Sequence, residues 1–330
     1  MSDATHEKSS ESAWPDLTLP RAAATAKTIQ LWSQIVGKTR LALAPLTNHW
    51  WNVTLYVNAR GLTTTAMPLA EDGHRELEVE FDLIAHELLL RTSDGGVDSF
   101  ALGPGTLEQF YHRYMAGLER LGIQLKLFPR AVEIPDPVYL DRDHIYRDYD
   151  PEWAHRFFVA LGQAHRLLSE FRAGFLGKAS PVHFFWGGFD LAVTRFSGRP
   201  APRHPGGIPN TPDYVSVEAY SHEVSSAGFW PGDDRLPEPV FYSYAYPEPA
   251  GFANARVQPC FARYEQSLGL FVLPYARVRE ARDPDRDVRG FLESTYIAAA
   301  DLARWDRLAL ERPPPSRPAD HRGRAESARL

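Results

Sequence analysis

"GKASPVHFFWGGFDLAVTRFSGR", residues 177–199, threads ionisable side chains through an aromatic run. Lys178, His183, Asp190, Arg195 and Arg199 stand among Phe184, Phe185, Trp186, Phe189 and Phe196. The part "GGFDLAVTRF" reads as a strand. Successive side chains of a strand point to opposite faces, so Asp190, Ala192, Thr194 and Phe196 share one face, and Phe189, Leu191, Val193 and Arg195 share the other. Asp190 and Arg195 then cannot pair with each other. A buried charge without a partner is costly, so each must find one elsewhere, in a polar network or in a ligand.

The same period of two recurs outside this run. "WNVTLYV" sets Trp51, Val53, Leu55 and Val57 against Asn52, Thr54 and Tyr56. "LEVEFDL" sets Leu77, Val79, Phe81 and Leu83 against Glu78, Glu80 and Asp82. Both patterns predict strands with one buried and one solvated face. "FYSYAY" (241–246) and "LGLFVLPY" (268–275) also read as strands. Four helices carry their own punctuation. The first runs from Pro20 to Val36 with Gly37 as its stop. The second is capped by Thr106 with Gln109 closing a capping box. The third and fourth open at Asp150-Pro151 and Asp283-Pro284, where proline lacks only an N–H that would have no helical partner. Strands follow one another without intervening helices, which predicts an antiparallel α+β fold.

The order helix, Gly-Lys, strands, helix occurs twice. Gly37 and Lys38 lie 140 residues before Gly177 and Lys178, and Val53 and Thr54 meet Val193 and Thr194 at the same offset. This predicts two tandem helix–antiparallel strands–helix units related by internal duplication. Residues 15–122 form the first unit, 123–149 a connector and 150–312 the second unit. The second is longer by about 41 residues, the gap between that offset and the 181 separating Phe110 from Phe291. The excess is assigned to an insert, 198–239. Its Pro and Gly content suits irregular structure, but "YVSVEAYSHE" and "GFWPG" are too aromatic for disorder, so it reads as an ordered covering over something. Residues 1–14 and 313–330 are too polar and Pro-rich to offset their ordering entropy and read as disordered.

Composition narrows the function. The 330 residues carry 44% hydrophobic and 12% aromatic side chains, enough for a large core. With 36 basic and 42 acidic residues, the formal charge of −6 gives no overall basic face for nucleic acid. No stretch approaches the roughly 18 apolar residues of a membrane span, and the N-terminus lacks an apolar signal core. A single cysteine, Cys260, excludes an intramolecular disulfide and accords with a reducing cytoplasm. Neither nucleic acid nor membrane is expected as a partner, and oligomeric state is unspecified.

Motifs exclude several chemistries. Gly37-Lys38-Thr39 follows a helix rather than preceding one, and Trp32 stands where a phosphate loop needs glycine. No G-x-S-x-G is present, and Cys260 in "VQPCFARY" has no cue for thiolate activation. His222-Glu223 with Glu218 has the residue types of a metal site, but without HExxH or a Cys/His cluster it reads as holding the insert to the body. No metal or cofactor is assigned. Tyr242, Tyr244 and Tyr246 share one strand face and suit either a pocket wall or an interface.

The opening run, "GFWPG", "QIVGKTRLAL" with "NHWWNVTLYV", and "LPYARVR" together resemble a bacterial family, domain of unknown function 5996, over roughly Trp14 to Arg312. The resemblance implies a bacterial protein and brings no assigned activity, so no functional residue is carried over from it. From the residues themselves, a cytoplasmic small-molecule-binding protein or enzyme is expected, with its pocket in the second unit beneath the insert. Arg195 and Arg199 are expected to contact an anionic ligand bidentately, with Lys178, His222 and Glu223 beside them. His183 and Asp190 are expected as polar or acid–base groups, and Trp186 and Trp230 as the walls. Arg199→Ala is expected to abolish binding without unfolding. The alternative is a non-catalytic interaction module that uses the tyrosine-rich surface.

Overall fold

In a computed structural model the protein is described over residues 13–18, 22–69, 73–136 and 138–313. Seven helices lie among these: α1 (Ala22–Leu43), α2 (Leu107–Arg120), α3 (Pro151–Ala173), α4 (Asp213–Ala219), α5 (Tyr275–Glu280), α6 (Pro284–Leu302) and α7 (Arg307–Leu310). The first sheet contains β1 (Tyr56–Val57), β2 (Gly61–Thr63), β3 (Met67–Pro68), β4 (Glu76–Asp82), β5 (Glu87–Thr92) and β6 (Val97–Ala101). Its order is β1-β2-β4-β5-β6, with β3 beside β4. β7 (Gly105–Thr106) and β8 (Tyr146–Arg147) form a small separate ladder. The second sheet contains β9 (His183–Phe185), β10 (Asp190–Pro200), β11 (His222–Trp230), β12 (Val240–Tyr246), β13 (Arg263–Glu265) and β14 (Leu270–Pro274), in the order β13-β14-β12-β11-β10-β9. Every strand pair is antiparallel, so the chain has an α+β fold. No described helix is long and apolar enough to cross a membrane.

The helix caps follow from local chemistry. Thr106 accepts from the Gln109 amide while the Gln109 side chain accepts from the Thr106 amide, completing the capping box. Asp150 accepts from the amides of Glu152 and Trp153, and Asp283 from that of Arg286, each just before a proline. α3 and α6 pack on one face of the second sheet. There Leu191, Val193, Phe229, Phe241 and Leu273 join the helical apolar stripes in one buried cluster that extends into the first half of the chain.

Four expectations are corrected. α1 does not stop at Gly37 but runs on to Leu43. Gly37 is there for room: a Cβ on it would collide with the indole of Trp186. Trp186 is anchored by donating from Nε1 to the Val53 carbonyl at 2.6 Å, so it cannot step aside cheaply. Gly37→Ala should therefore lower stability in urea unfolding, because an overpacking cost of about 1–3 kcal/mol outweighs the roughly 1 kcal/mol that alanine gains in a helix. Second, residues 48–53 form a 3-10 helix, not a strand. Third, the outward carboxylates of β4 are not all solvated. Glu80 and Asp82 are buried, where Asn58 donates to Glu80 at 2.9 Å and Arg60 to Asp82 at 2.5 Å. Fourth, residues 222–230, assigned to the insert, are the central strand β11, paired on both sides. Of the assigned insert, only residues 201–221 and the 231–239 turn lie outside the sheet.

The 140-residue offset does not align equivalent positions, since Gly37 lies inside α1 and Gly177 beyond the end of α3. An offset of 129 relates the starts of α1 and α3, at 22 and 151. It also relates Leu55 to Phe184, and these two exchange backbone hydrogen bonds of 2.9 and 2.8 Å that join the two sheets edge to edge. A duplication stays a proposal, resting on this order of elements. Of the termini expected to be disordered, 1–12 and 314–330 lie outside the described residues. Trp14 is buried, with its ring 5.9 Å from Tyr275 and 6.1 Å from Phe241.

Candidate functional site

The face of the second sheet turned away from α3 and α6 lines a cavity of about 390 Å³. Strand alternation supplies its floor: Asp190, Ala192, Thr194 and Phe196 from β10, Ser226 and Trp230 from β11, Tyr242 and Tyr244 from β12. Its roof comes from three segments distant in sequence. These are the 3-10 helix with His49, Trp50 and Trp51, the 200–221 lid with Ile208, Val215 and Tyr220, and the connector through Glu133. Lid and connector are latched together. The Glu133 amide donates to the Pro209 carbonyl at 2.8 Å, and Asn210 donates to that of Ile134 at 2.6 Å.

Two carboxyls face this space. Asp190 accepts a hydrogen bond from the Tyr242 hydroxyl, and burial pushes its pKa up to about 6. Glu133 lines the same space and keeps an exposed side chain, although protein crowds around its carboxyl. Its carboxyl makes no hydrogen bond or ion pair among the described residues. Burial, and then the charge of Asp190, push it up to about 7. Both carboxyls approach one backbone position. A Cβ on Gly188 would lie 2.8 Å from Asp190 Oδ1 and 3.6 Å from Glu133 Oε2, and one on Gly187 would strike the Glu133 carboxyl. Neither glycine has a positive φ, so the Gly-Gly pair in "FFWGGFD" provides space rather than an unusual conformation.

Other hydroxyls of the cavity are paired with one another. The Tyr220 and Tyr244 hydroxyls meet at 2.9 Å, and those of Thr194 and Ser226 at 3.0 Å. Burial raises all three cavity tyrosines, so they remain neutral donors. Opposite them, His49 and Trp50 both adopt φ near 58°, the left-handed region, at a cost of about 1–3 kcal/mol each. His49 is held there by its surroundings. Its amide donates to Glu218 Oε1 at 3.2 Å, and its Nδ1 faces the carbonyls of Glu218 and Ala219 at 3.3 and 3.1 Å. Lys178 Nζ lies 2.6 Å from its Nε2. The carbonyls fix the proton on Nδ1, and the ammonium donates to Nε2. Burial and Lys178 therefore hold the His49 pKa down and the ring neutral.

Of the residues expected to form the site, Asp190 and Trp230 line the cavity. Lys178 stands behind His49, its ammonium 5.3 and 4.9 Å from the ring centroids of Trp51 and Phe196. His183 is wholly buried and off the cavity, amid the rings of Trp51, Tyr56 and Phe185. Burial drives its pKa down to about 3, and neither ring nitrogen has a partner among the described residues. Trp186 faces α1 instead. Arg195 points to the helix side, where only 1% of it is exposed. Arg199 is at the surface, pairing with Glu223 at 2.6 Å and donating to the Ala303 carbonyl at the end of α6 at 2.7 Å. His222 bonds to Ser221 at 3.1 Å. The two arginines are thus not brought together, and neither enters the cavity. Among the described residues no three His, Cys, Asp or Glu side chains converge as a metal site requires.

Sequence reading overlooked Glu133, His49, Tyr220 and Ser226. Only the tyrosine-bearing strand and the aromatic insert hinted at a lined space. Glu133 sits in the connector "RAVEIPDP", where nothing local marks it.

Residues 14–312 match the profile of a family of unknown function, DUF5996, and the chain belongs to that family. Neither the curated proteins nor the solved structures provide a match.

Proposed function

We propose that the protein binds a small molecule in the cavity beneath the 200–221 lid, and that the site is equipped for acid–base chemistry. One observation carries this reading: an aromatic-walled cavity into which two carboxyls project, while the lining's one guanidinium, Arg235, is paired with Asp233. Near neutral pH such a pair holds one proton between them, so one carboxyl can donate while the other accepts. A cytoplasmic setting is part of the proposal and rests on the single unpaired cysteine. An anionic ligand is not retained, because the arginines that motivated it lie elsewhere. The interaction-module alternative needs an exposed tyrosine face. Instead, Tyr242 and Tyr244 line the cavity, while Tyr246 donates to the lid at Pro202, its ring tilted against that of His204 at 5.1 Å.

Native mass spectrometry of protein purified without denaturation tests the proposal. The expected result is an added mass that leaves on unfolding and is absent from Trp230→Ala. A bare wild-type protein that also yields no ligand from a cell extract passed over it would sink the reading.

A further inference from the structure

We infer that the cavity takes an organic cation, a protonated amine whose ammonium sits at Glu133 and Asp190 and whose apolar body lies against Trp51, Trp230 and Phe185. This rests on the cavity being a ligand site and adds the charge and chemical class of what enters.

The charge inventory of the cavity selects the ligand. Two acids face inward. The one guanidinium in the lining, Arg235, is at the rim and already paired with Asp233 at 2.7 Å. Lys178 is committed to His49, and His49 is held neutral. The tyrosines Tyr220, Tyr242 and Tyr244 are neutral, and their hydroxyls are engaged with one another or with Asp190. These are the titratable groups presented by the 3-10 helix, the connector, the lid, the strands and the β11–β12 turn. None supplies a free positive charge.

An anion would add negative charge beside two acids that already repel each other. A neutral alcohol would leave the acids uncompensated. An ammonium satisfies both, and its attraction to a carboxylate grows as water is excluded. The walls favour the same ligand, because the electron-rich faces of tryptophan, tyrosine and phenylalanine attract a cation. Space agrees as well. At about 30 Å³ for each water-sized unit, the cavity accommodates a molecule of roughly a dozen heavy atoms.

In the empty protein a proton shared by the acids does part of this neutralising. Cation binding should therefore displace that proton, and amine affinity should fall as pH is lowered through the range where Glu133 and Asp190 take protons up.

Isothermal titration of the full-length protein at about pH 8, above both raised carboxyl values, distinguishes the classes. The probes share one skeleton: phenethylammonium, phenethyl alcohol and phenylpropionate. The amine is expected to bind at least roughly tenfold more tightly than either of the others. Glu133→Gln with Asp190→Asn should erase that preference while leaving the alcohol's affinity within about twofold. Equal or tighter binding of the alcohol or the carboxylate overturns the cation, as does binding of none of the three. A neutral or anionic metabolite carried through purification and displaced by Trp230→Ala would also overturn it, while leaving the cavity reading intact. Absence of any ligand in both experiments removes both.

Discussion

Arg195→Ala should destabilise the protein by about 3–5 kcal/mol and lower its Tm by roughly 10 °C. The site it affects is the core, not the cavity. The guanidinium lies 3.3 Å from the ring centroid of Phe171 and 4.3 Å from that of Tyr296, and it donates to the Phe171 carbonyl. Removing it loses the stacked contacts, opens a void between α3 and α6, and takes a donor from a helix-end carbonyl. Glu293, 3.6 Å away, keeps half its side-chain surface in solvent and can hydrate when the arginine goes, so its loss of partner adds little. Arg195→Met keeps the stem in place and should recover part of the loss. Arg199→Ala should change stability by no more than about 1 kcal/mol, since its pair with Glu223 is half exposed. Neither replacement should alter ligand affinity measured below the unfolding transition. Urea denaturation and binding titration of the three variants check this. An Arg195→Ala protein with wild-type stability and lost binding would return this residue to the site.

The difference between these two arginines shows where sequence reading stops. The alternation in "GGFDLAVTRF" placed Asp190, Ala192, Thr194 and Phe196 on one face, and these four line the cavity. Period and caps are local, so a short window is enough to read them. Which face meets helices and which meets the lid depends on chain hundreds of ångströms of contour away. An arginine beneath an aromatic roof looks, in sequence, like an arginine at a ligand. Gly37 was legible as a glycine but not as room for Trp186, which follows 149 residues later. "WNVTLYV" alternates as a strand would, yet its first residues close a 3-10 helix whose left-handed turn at His49 and Trp50 is enforced by Glu218 and Ala219 of the lid. Glu133 was invisible because its importance lies in what surrounds it. A glutamate in a polar connector becomes a cavity-lining acid only when the lid and the sheet fold around it.

Asp190→Asn should make the protein more stable at about pH 8, by roughly 1–3 kcal/mol, and equally stable near pH 4. The folded-state pKa of Asp190 is raised to about 6 and that of Glu133 to about 7. Between the unfolded values and these, the folded protein holds more protons than the unfolded chain. Stability therefore falls as pH rises through that interval, and above it the fold carries two uncompensated carboxylates. The amide removes one charge and still accepts from Tyr242. The gain is set below the full value of the shift because cavity water screens the pair. Glu133→Gln should act in the same direction over a window extending to slightly higher pH. His183 works with the opposite sign. Its folded pKa is lowered, so its contribution is present above its unfolded value and lost as pH falls through the acid range. The diagnostic quantity is accordingly the difference between wild-type and variant stability at each pH, from denaturant unfolding, in which His183 cancels. A difference that does not change between pH 4 and 8 would mean that Asp190 ionises as an ordinary aspartate. A variant that gains stability at high pH but loses ligand would show that the chain tolerates a destabilising charge for what it binds, since a core selected for stability alone would have replaced it.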